Sequence, residues 1–295
     1  MILNVSGRTD IIAFYEKWFM NRLNAGFVDV RNPFNPKLVS RINFSDVDLI
    51  LFCTKNPIPI LNDLDKIKIP FIFHVTITPY KNDIEPNVIL KTEIINAVKK
   101  ISTIIGKDNI YIRYDPIFLS DKYNIVYHIK AFNKLCTLLK GYVNTIIVSF
   151  LDEYKNVLKN KNILKYRQFT ENEYKLIGEN FSKIARTNNM VVQTCFEDRN
   201  LTEYGFKKEE CLSHELAYKL TGKTYKSWKA RKERKCECVE MADIGCYNSC
   251  KHFCKYCYAN YDEKMVNENF KNHDVNSSLL CGNLKKDDII KVRNK

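Results

Sequence analysis

The sequence predicts an α/β fold: a partial or closed (β/α) TIM-like barrel of about six repeats, with a cysteine-rich C-terminal extension folded over the barrel mouth. Three observations predict it. Short apolar β-rich runs alternate with longer amphipathic segments, as a parallel sheet with right-handed helical crossovers requires. The C-terminal ends of those runs are unusually polar. After about residue 205 the strand signals stop, and cysteines and basic residues take over.

The β-rich runs are ILNVS (2–6), LILFCT (49–54), FIFHVTIT (71–78), IYIRYD (110–115), TIIVSF (145–150) and VVQTCF (191–196). Helical patterns lie between them at 10–24, 87–105, 123–140 and 170–188. The last opens on Thr170 with Glu173 three residues on, the reciprocal pair of a capping box. FVDVRNP and LVSRINF (27–44) fit poorly as repeats and read as an extra hairpin. The aromatic stripe Phe14, Tyr15, Trp18 and Phe19 reads as core packing of the first helix. The division expected is a barrel over 1–204 and a basic, cysteine-rich extension over 205–295, packed on the barrel because no linker would free it.

A chain of 295 residues, 45% hydrophobic with only nine Gly and eight Pro, buries a sizeable ordered core. Arg8 and Asp10 interrupt the N-terminus before a secretory h-region forms, and stretches such as IPFIFHVTI are too short to span a bilayer. A cytoplasmic protein with no membrane partner is expected, where clustered thiols serve as metal ligands or catalysts more readily than as disulfides. The formal net charge of +13 favours an anionic partner, such as nucleic acid, nucleotide or phosphorylated metabolite, or simply a lysine-rich solvated surface.

Chemistry in such a barrel gathers at the C-terminal strand ends. Those ends carry Ser6, Arg8 and Asp10; Lys55 and Asn56; Thr76 and Thr78; Arg113 and Asp115; Ser149 and Asp152; Gln193 and Glu197. Together they describe a charged mouth suited to a zwitterionic or anionic ligand. Arg8, Asp10, Arg113, Asp115 and Glu197 are the catalytic candidates, and Lys55 and Gln193 are candidates for holding a cofactor. His74 lies mid-strand and reads as a satisfied core histidine.

Four of the eleven cysteines fall in CYNSCKHFCKYCYAN (246–260), where Cys250, Cys254 and Cys257 form C-x3-C-x2-C. Three thiolates on so short a loop suit three corners of a cubane 4Fe–4S cluster, leaving the fourth iron open as a binding site. A structural zinc site instead takes four ligands, usually as two pairs. With Tyr256 before the third cysteine, this loop resembles the signature of the radical S-adenosylmethionine superfamily, whose members are also built on β/α barrels. SGRTDI near the start, RYDP (113–116), QTC (193–195) and CECVEMADIGCYNSCKHFCKYCYAN (236–260) extend the likeness to nearly the whole chain. Over that length the chain resembles domain-of-unknown-function family 1848, an uncharacterised family whose C-terminal cysteines have been likened to the same cluster motif.

The resemblance implies a 4Fe–4S cluster on Cys250, Cys254 and Cys257, with S-adenosylmethionine chelating the open iron. It implies reductive cleavage to a 5′-deoxyadenosyl radical, an unknown substrate, and an electron donor such as a flavodoxin or ferredoxin. Tyr256, Tyr258 and Asn260 would lie beside the cluster and contact the adenosyl group. Two departures stand out. The superfamily carries its cluster loop after the first strand, whereas here it follows the last. Its Gly-Gly-Glu type segment has no counterpart, for no Gly-Gly pair exists in the chain.

The resembling family is also expected to carry cysteine at the positions of Cys195, Cys211, Cys236 and Cys238, and these four would close around a second metal, an auxiliary 4Fe–4S cluster or zinc. Buried thiols without a metal are the other reading of Cys195 and Cys211. Cys246 reads as a spare thiol, Cys53 and Cys136 as core, and Cys281 as uninformative. The stretch KTYKSWKARKERK (223–235) interleaves basic residues with Tyr225 and Trp228 and reads as a solvated face or a nucleic-acid grip. A non-enzymatic zinc or iron–sulfur protein that binds nucleic acid through that segment is therefore the alternative function, with Cys236 and Cys238 pairing Cys254 and Cys257. A thiol redox protein is weaker, because CKYC lacks a thioredoxin-like strand-to-helix setting.

Overall fold

The computed structural model describes residues 1–195, 197–228 and 237–293. In chain order the strands are β1 (Ile2–Asn4), β2 (Phe27–Arg31), β3 (Leu38–Asn43), β4 (Leu49–Thr54), β5 (Phe71–Thr76) and β6 (Ile110–Ile117). They continue with β7 (Thr145–Phe150), β8 (Val191–Thr194), β9 (Lys207–Lys208), β10 (Met241–Asp243) and β11 (Ile289–Val292). The helices are α1 (Ile11–Phe14), α2 (Glu16–Ala25), α3 (Lys91–Ile105), α4 (Ile125–Leu139), α5 (Lys155–Lys159), α6 (Lys161–Leu164), α7 (Glu171–Thr187), α8 (His214–Thr221) and α9 (Glu263–Lys271).

Eight strands form one sheet in the order β10-β1-β4-β5-β6-β7-β8-β9, and every pair in it is parallel. All six predicted runs are in it. The α/β expectation holds as a parallel sheet flanked by helices. A closed ring does not: among the described residues the sheet keeps two edges, at β9 and β10. The predicted extra hairpin is present, with β2 antiparallel to β3, and β11 adds a parallel third strand beside β3.

Strand signals were expected to stop near residue 205, and this is corrected by β9, β10 and β11. Two to four residues carry too little periodicity to show in sequence, and neighbours already in place determine their pairing. The predicted first helix is two helices, broken at Tyr15, whose φ of −136° leaves the helical region. Thr170 and Glu173 do cap α7 reciprocally.

The strands alternate sides as the pleat demands. Leu3, Ile50, Phe52, Phe73, Val75, Ile112 and Val148 face the helical layer and share its core with Trp18, Phe19, Val98, Phe132 and Phe181. Ile2, Leu49, Leu51 and Ile72 point to the other face, where Leu212, Ala217 and Val239 of the extension cover them. One face is thus sealed by crossover helices and the other by chain that follows β8. That second covering carries cysteines onto the sheet.

Candidate functional site

Cys250, Cys254 and Cys257 lie on a loop spread across the C-terminal ends of the strands. Long-range hydrogen bonds to its backbone fix it there. Tyr15 Oη donates to the Ser249 carbonyl at 2.6 Å, Asn87 Nδ2 to Lys251 at 2.8 Å, Asn156 Nδ2 to Cys257 at 2.7 Å and Asn160 Nδ2 to Lys255 at 2.7 Å. The Lys255 N–H donates to the Ile84 carbonyl at 2.9 Å. Asn260 closes the loop on itself: its Nδ2 donates to the Cys250 carbonyl and its Oδ1 accepts from the Cys250 N–H. Asn248 and Phe253 take left-handed backbone, at φ 52° and 54°, which folds the loop tightly between its ties.

The loop meets the first strand end through a buried Asp–His contact. Asp10 Oδ2 lies 2.9 Å from His252 Nε2 and accepts the Lys55 N–H at 2.7 Å, while Oδ1 caps α1 through the Ala13 N–H at 3.1 Å. One carboxylate therefore joins β1, β4 and the cysteine loop.

A second buried carboxylate organises the next strand ends. Glu85 is 1% exposed and accepts from Lys55 Nζ at 2.9 Å, from Thr78 Oγ1 at 2.6 Å, from Lys91 Nζ and from the Tyr256 hydroxyl. Burial would raise its pKa, but Lys55 and Lys91 outweigh burial and hold it down to about 2. Burial likewise opposes the charge on Lys55, and Glu85 with the Cys254 thiol restores it.

Arg8 and Arg113 occupy other ion pairs. Arg8 Nε donates to Asp243 Oδ2 at 2.5 Å, and Asp243 Oδ1 also accepts the Gly7 and Gly245 N–H groups at 2.8 and 3.0 Å. A Cβ on Gly7 would stand 2.8 Å from that carboxylate, so glycine permits the approach. Arg113 Nε donates to Asp115 Oδ2 at 2.9 Å, and Ser149 donates to the other oxygen.

Glu197 accepts the Phe150 N–H at 3.1 Å, and its pKa is pushed up to about 8, first by burial and then by Asp115, Asp152 and Asp198. A carboxyl raised on folding binds a proton that the unfolded chain releases. Its stabilising share is whole below the ordinary carboxylate range and is lost as pH rises through about 8. Glu197→Gln, which stays neutral, is expected to raise the Tm at pH 9 and leave it nearly unchanged at pH 5. A melting series over that range checks it.

The candidate cofactor residues part company. Tyr256 is buried on Glu85, with the Lys55 ammonium 5.5 Å from its ring, so those two do meet beside Cys254. Tyr258 is half exposed and donates to the Gly7 carbonyl, and Asn260 is occupied in closing the loop. Gln193 is buried away from that loop and donates to the Glu210 carbonyl at 3.3 Å.

Burial pushes the Cys254 thiol up to about 12 and raises Cys250 and Cys257 as well, so metal loading would expel protons. Cys257 Sγ already accepts the Ala259 N–H at 3.3 Å.

Cys195, Cys211 and Cys238 form a tight group, in which all three sulfurs lie within 4.8 Å of one another. Cys238 Sγ is 3.5 Å from Cys195 Sγ and 3.4 Å from Cys211 Sγ. Cys236, expected beside them, lies outside the described residues, as do 229–235 of the basic segment. Within the described part of that segment, Tyr225 and Trp228 pack against the extension's apolar cover, and Lys223 pairs with Asp48. The Cys246 and Cys281 thiols lie near each other beside the loop, and Cys246 Sγ donates to the Tyr247 carbonyl at 3.4 Å.

A family model described as Domain of unknown function (DUF1848) matches residues 2–259. The chain belongs to that family. No curated protein and no solved structure matches the chain. The DUF1848 region thus includes the whole eight-stranded sheet and the cysteine loop up to Ala259. Among the described residues, no helix is long and apolar enough to cross a membrane.

Sequence reasoning missed Glu85 and His252. His252 sits inside the C-x3-C spacing, which was the available signal. Glu85 has none: in KNDIEP it reads as one more solvated loop carboxylate.

Proposed function

We infer that this chain is a radical S-adenosylmethionine-like iron–sulfur enzyme acting on a substrate still to be identified. The observation that carries the reading is the placement of Cys250, Cys254 and Cys257 over the polar strand ends, held there by the side chains of Asp10, Tyr15, Asn87, Asn156 and Asn160. The sequential strand order, with helices on one face, supports a partial β/α barrel as the scaffold. A 4Fe–4S cluster on these three cysteines would leave one iron open to the amino and carboxylate groups of S-adenosylmethionine and supply the electron that cleaves its sulfonium.

The chain's own residues do the rest. Lys55 sits between Glu85 and Cys254 and offers a buried positive charge beside a cluster of net negative charge. Tyr256 packs on Tyr80 and Cys254 and keeps water from that side. Glu197, protonated at neutral pH, offers a hydrogen-bond donor near Asp115.

Anaerobic reconstitution tests the reading. About four irons and as many sulfides per chain are expected, with an electron paramagnetic resonance signal that changes when S-adenosylmethionine is added. Dithionite with S-adenosylmethionine is expected to yield 5′-deoxyadenosine. Iron that binds without that product would reduce the protein to a cluster carrier, and zinc in the loop would end the reading altogether.

A further inference from the structure

We propose that Cys195, Cys211 and Cys238 hold a single zinc ion on the inner face of the sheet, a metal centre separate from the cysteine loop. The argument starts from spacing. Zinc–thiolate bonds of about 2.3 Å place tetrahedral ligand sulfurs about 3.8 Å apart. The two measured edges, 3.4 and 3.5 Å, lie a few tenths of an ångström inside that value. Ligands of a cubane sit on different irons and would have to be spread apart from here. A disulfide would join two of the sulfurs at about 2.05 Å and strand the third.

The surroundings also suit a bound cation with thiolate ligands. The Cys211 N–H donates to Cys195 Sγ at 3.3 Å, an amide-to-sulfur bond that favours the deprotonated form. Three thiolates around zinc carry one net negative charge, and the half-buried Arg113 guanidinium, paired with Asp115, also lies beside Cys211. His74 is a second, independent sign of a ligand. It is 1% exposed, lies beside Cys211, and its Nε2 has no hydrogen-bond partner among the described residues. The ion would also fasten the extension to the sheet, because Cys195 follows β8 while Cys211 and Cys238 flank α8.

The proposal stands apart from the cluster reading, and its test keeps the two separable. Protein produced with both zinc and iron available is expected to retain about one zinc per chain. That zinc should persist in the Cys250→Ala, Cys254→Ala, Cys257→Ala variant and fall about tenfold or more in Cys211→Ser or Cys238→Ser. Should the serine variants fail to fold, zinc-edge X-ray absorption on the wild type decides, with a shell of three or more sulfurs at about 2.3 Å expected. Folded wild type without zinc, a zinc shell lacking sulfur, or iron and sulfide retained by the triple alanine variant would each overturn it. Wild type that holds zinc but no iron would sink the cluster reading and leave this one intact.

Discussion

Glu85→Gln is expected to destabilise the chain by about 3–5 kcal/mol, the cost of removing one partner from a buried ion network. Glu85 lies at 1% exposure between two ammonium groups, and the substitution leaves both positive charges facing a neutral amide. Lys91 retains a partly exposed side chain and can turn toward water, whereas Lys55 is enclosed beside Cys254. The damage therefore falls on the cysteine loop first, and iron retention should drop along with the urea midpoint. A second substitution, Lys91→Met, should recover part of the loss by removing one of the two orphaned charges. The same carboxylate predicts acid lability in the wild type. Its pKa is lowered on folding, so its contribution is whole above the ordinary carboxylate value and disappears as pH falls toward about 2. Urea midpoints for wild type and Glu85→Gln should thus converge in acid; a gap as wide at pH 3 as at pH 7 would refute the assignment.

The second large effect is expected at Asp10. Alanine there removes the cap of α1 and leaves the Lys55 N–H and a buried His252 nitrogen without their acceptor. A lost cap costs about 1 kcal/mol and each of the two stranded buried donors about 1–3 kcal/mol, so a total of about 3–7 kcal/mol is expected. Asp10→Asn should be milder, because asparagine still caps the helix. The discriminating readout is the loop: both variants should release iron to a chelator faster than wild type, the alanine more so. Stability lost with iron release unchanged would mean that Asp10 serves α1 alone.

The strands were legible because a parallel sheet covered on both faces writes itself as unbroken apolar runs, as in LILFCT and TIIVSF. The hairpin at 27–44 stood out for the opposite reason: β2 and β3 bury only two residues each, so polar residues interrupt their apolar runs. The covering of the inner face was not legible. Leu212, Ala217 and Val239 are scattered among polar residues, and their burial depends on strands far away in the chain. At the site, cysteine spacing revealed the loop, since short-range ligand geometry is written in sequence intervals. The Glu85 network was silent for the converse reason. Its partners Lys55, Thr78, Lys91 and Tyr256 are gathered by four separate segments, and no interval between them carries chemical meaning. Arg8 was drawn to the mouth by its position after β1, yet its partner Asp243 lies more than two hundred residues on, at the end of a three-residue strand.

The long-range ties from the cysteine loop to the sheet reach back to residues between Gly7 and Asn160. During synthesis those anchors leave the ribosome long before the thiols they will hold. The sheet can close its helical core while the three cysteines are still unmade, so folding of the scaffold would not wait for the proposed iron. Insertion of the proposed cluster would then be a late maturation step on an almost finished protein. An iron-starved cell would accumulate a folded apoprotein ready for loading rather than a misfolded chain bound for degradation.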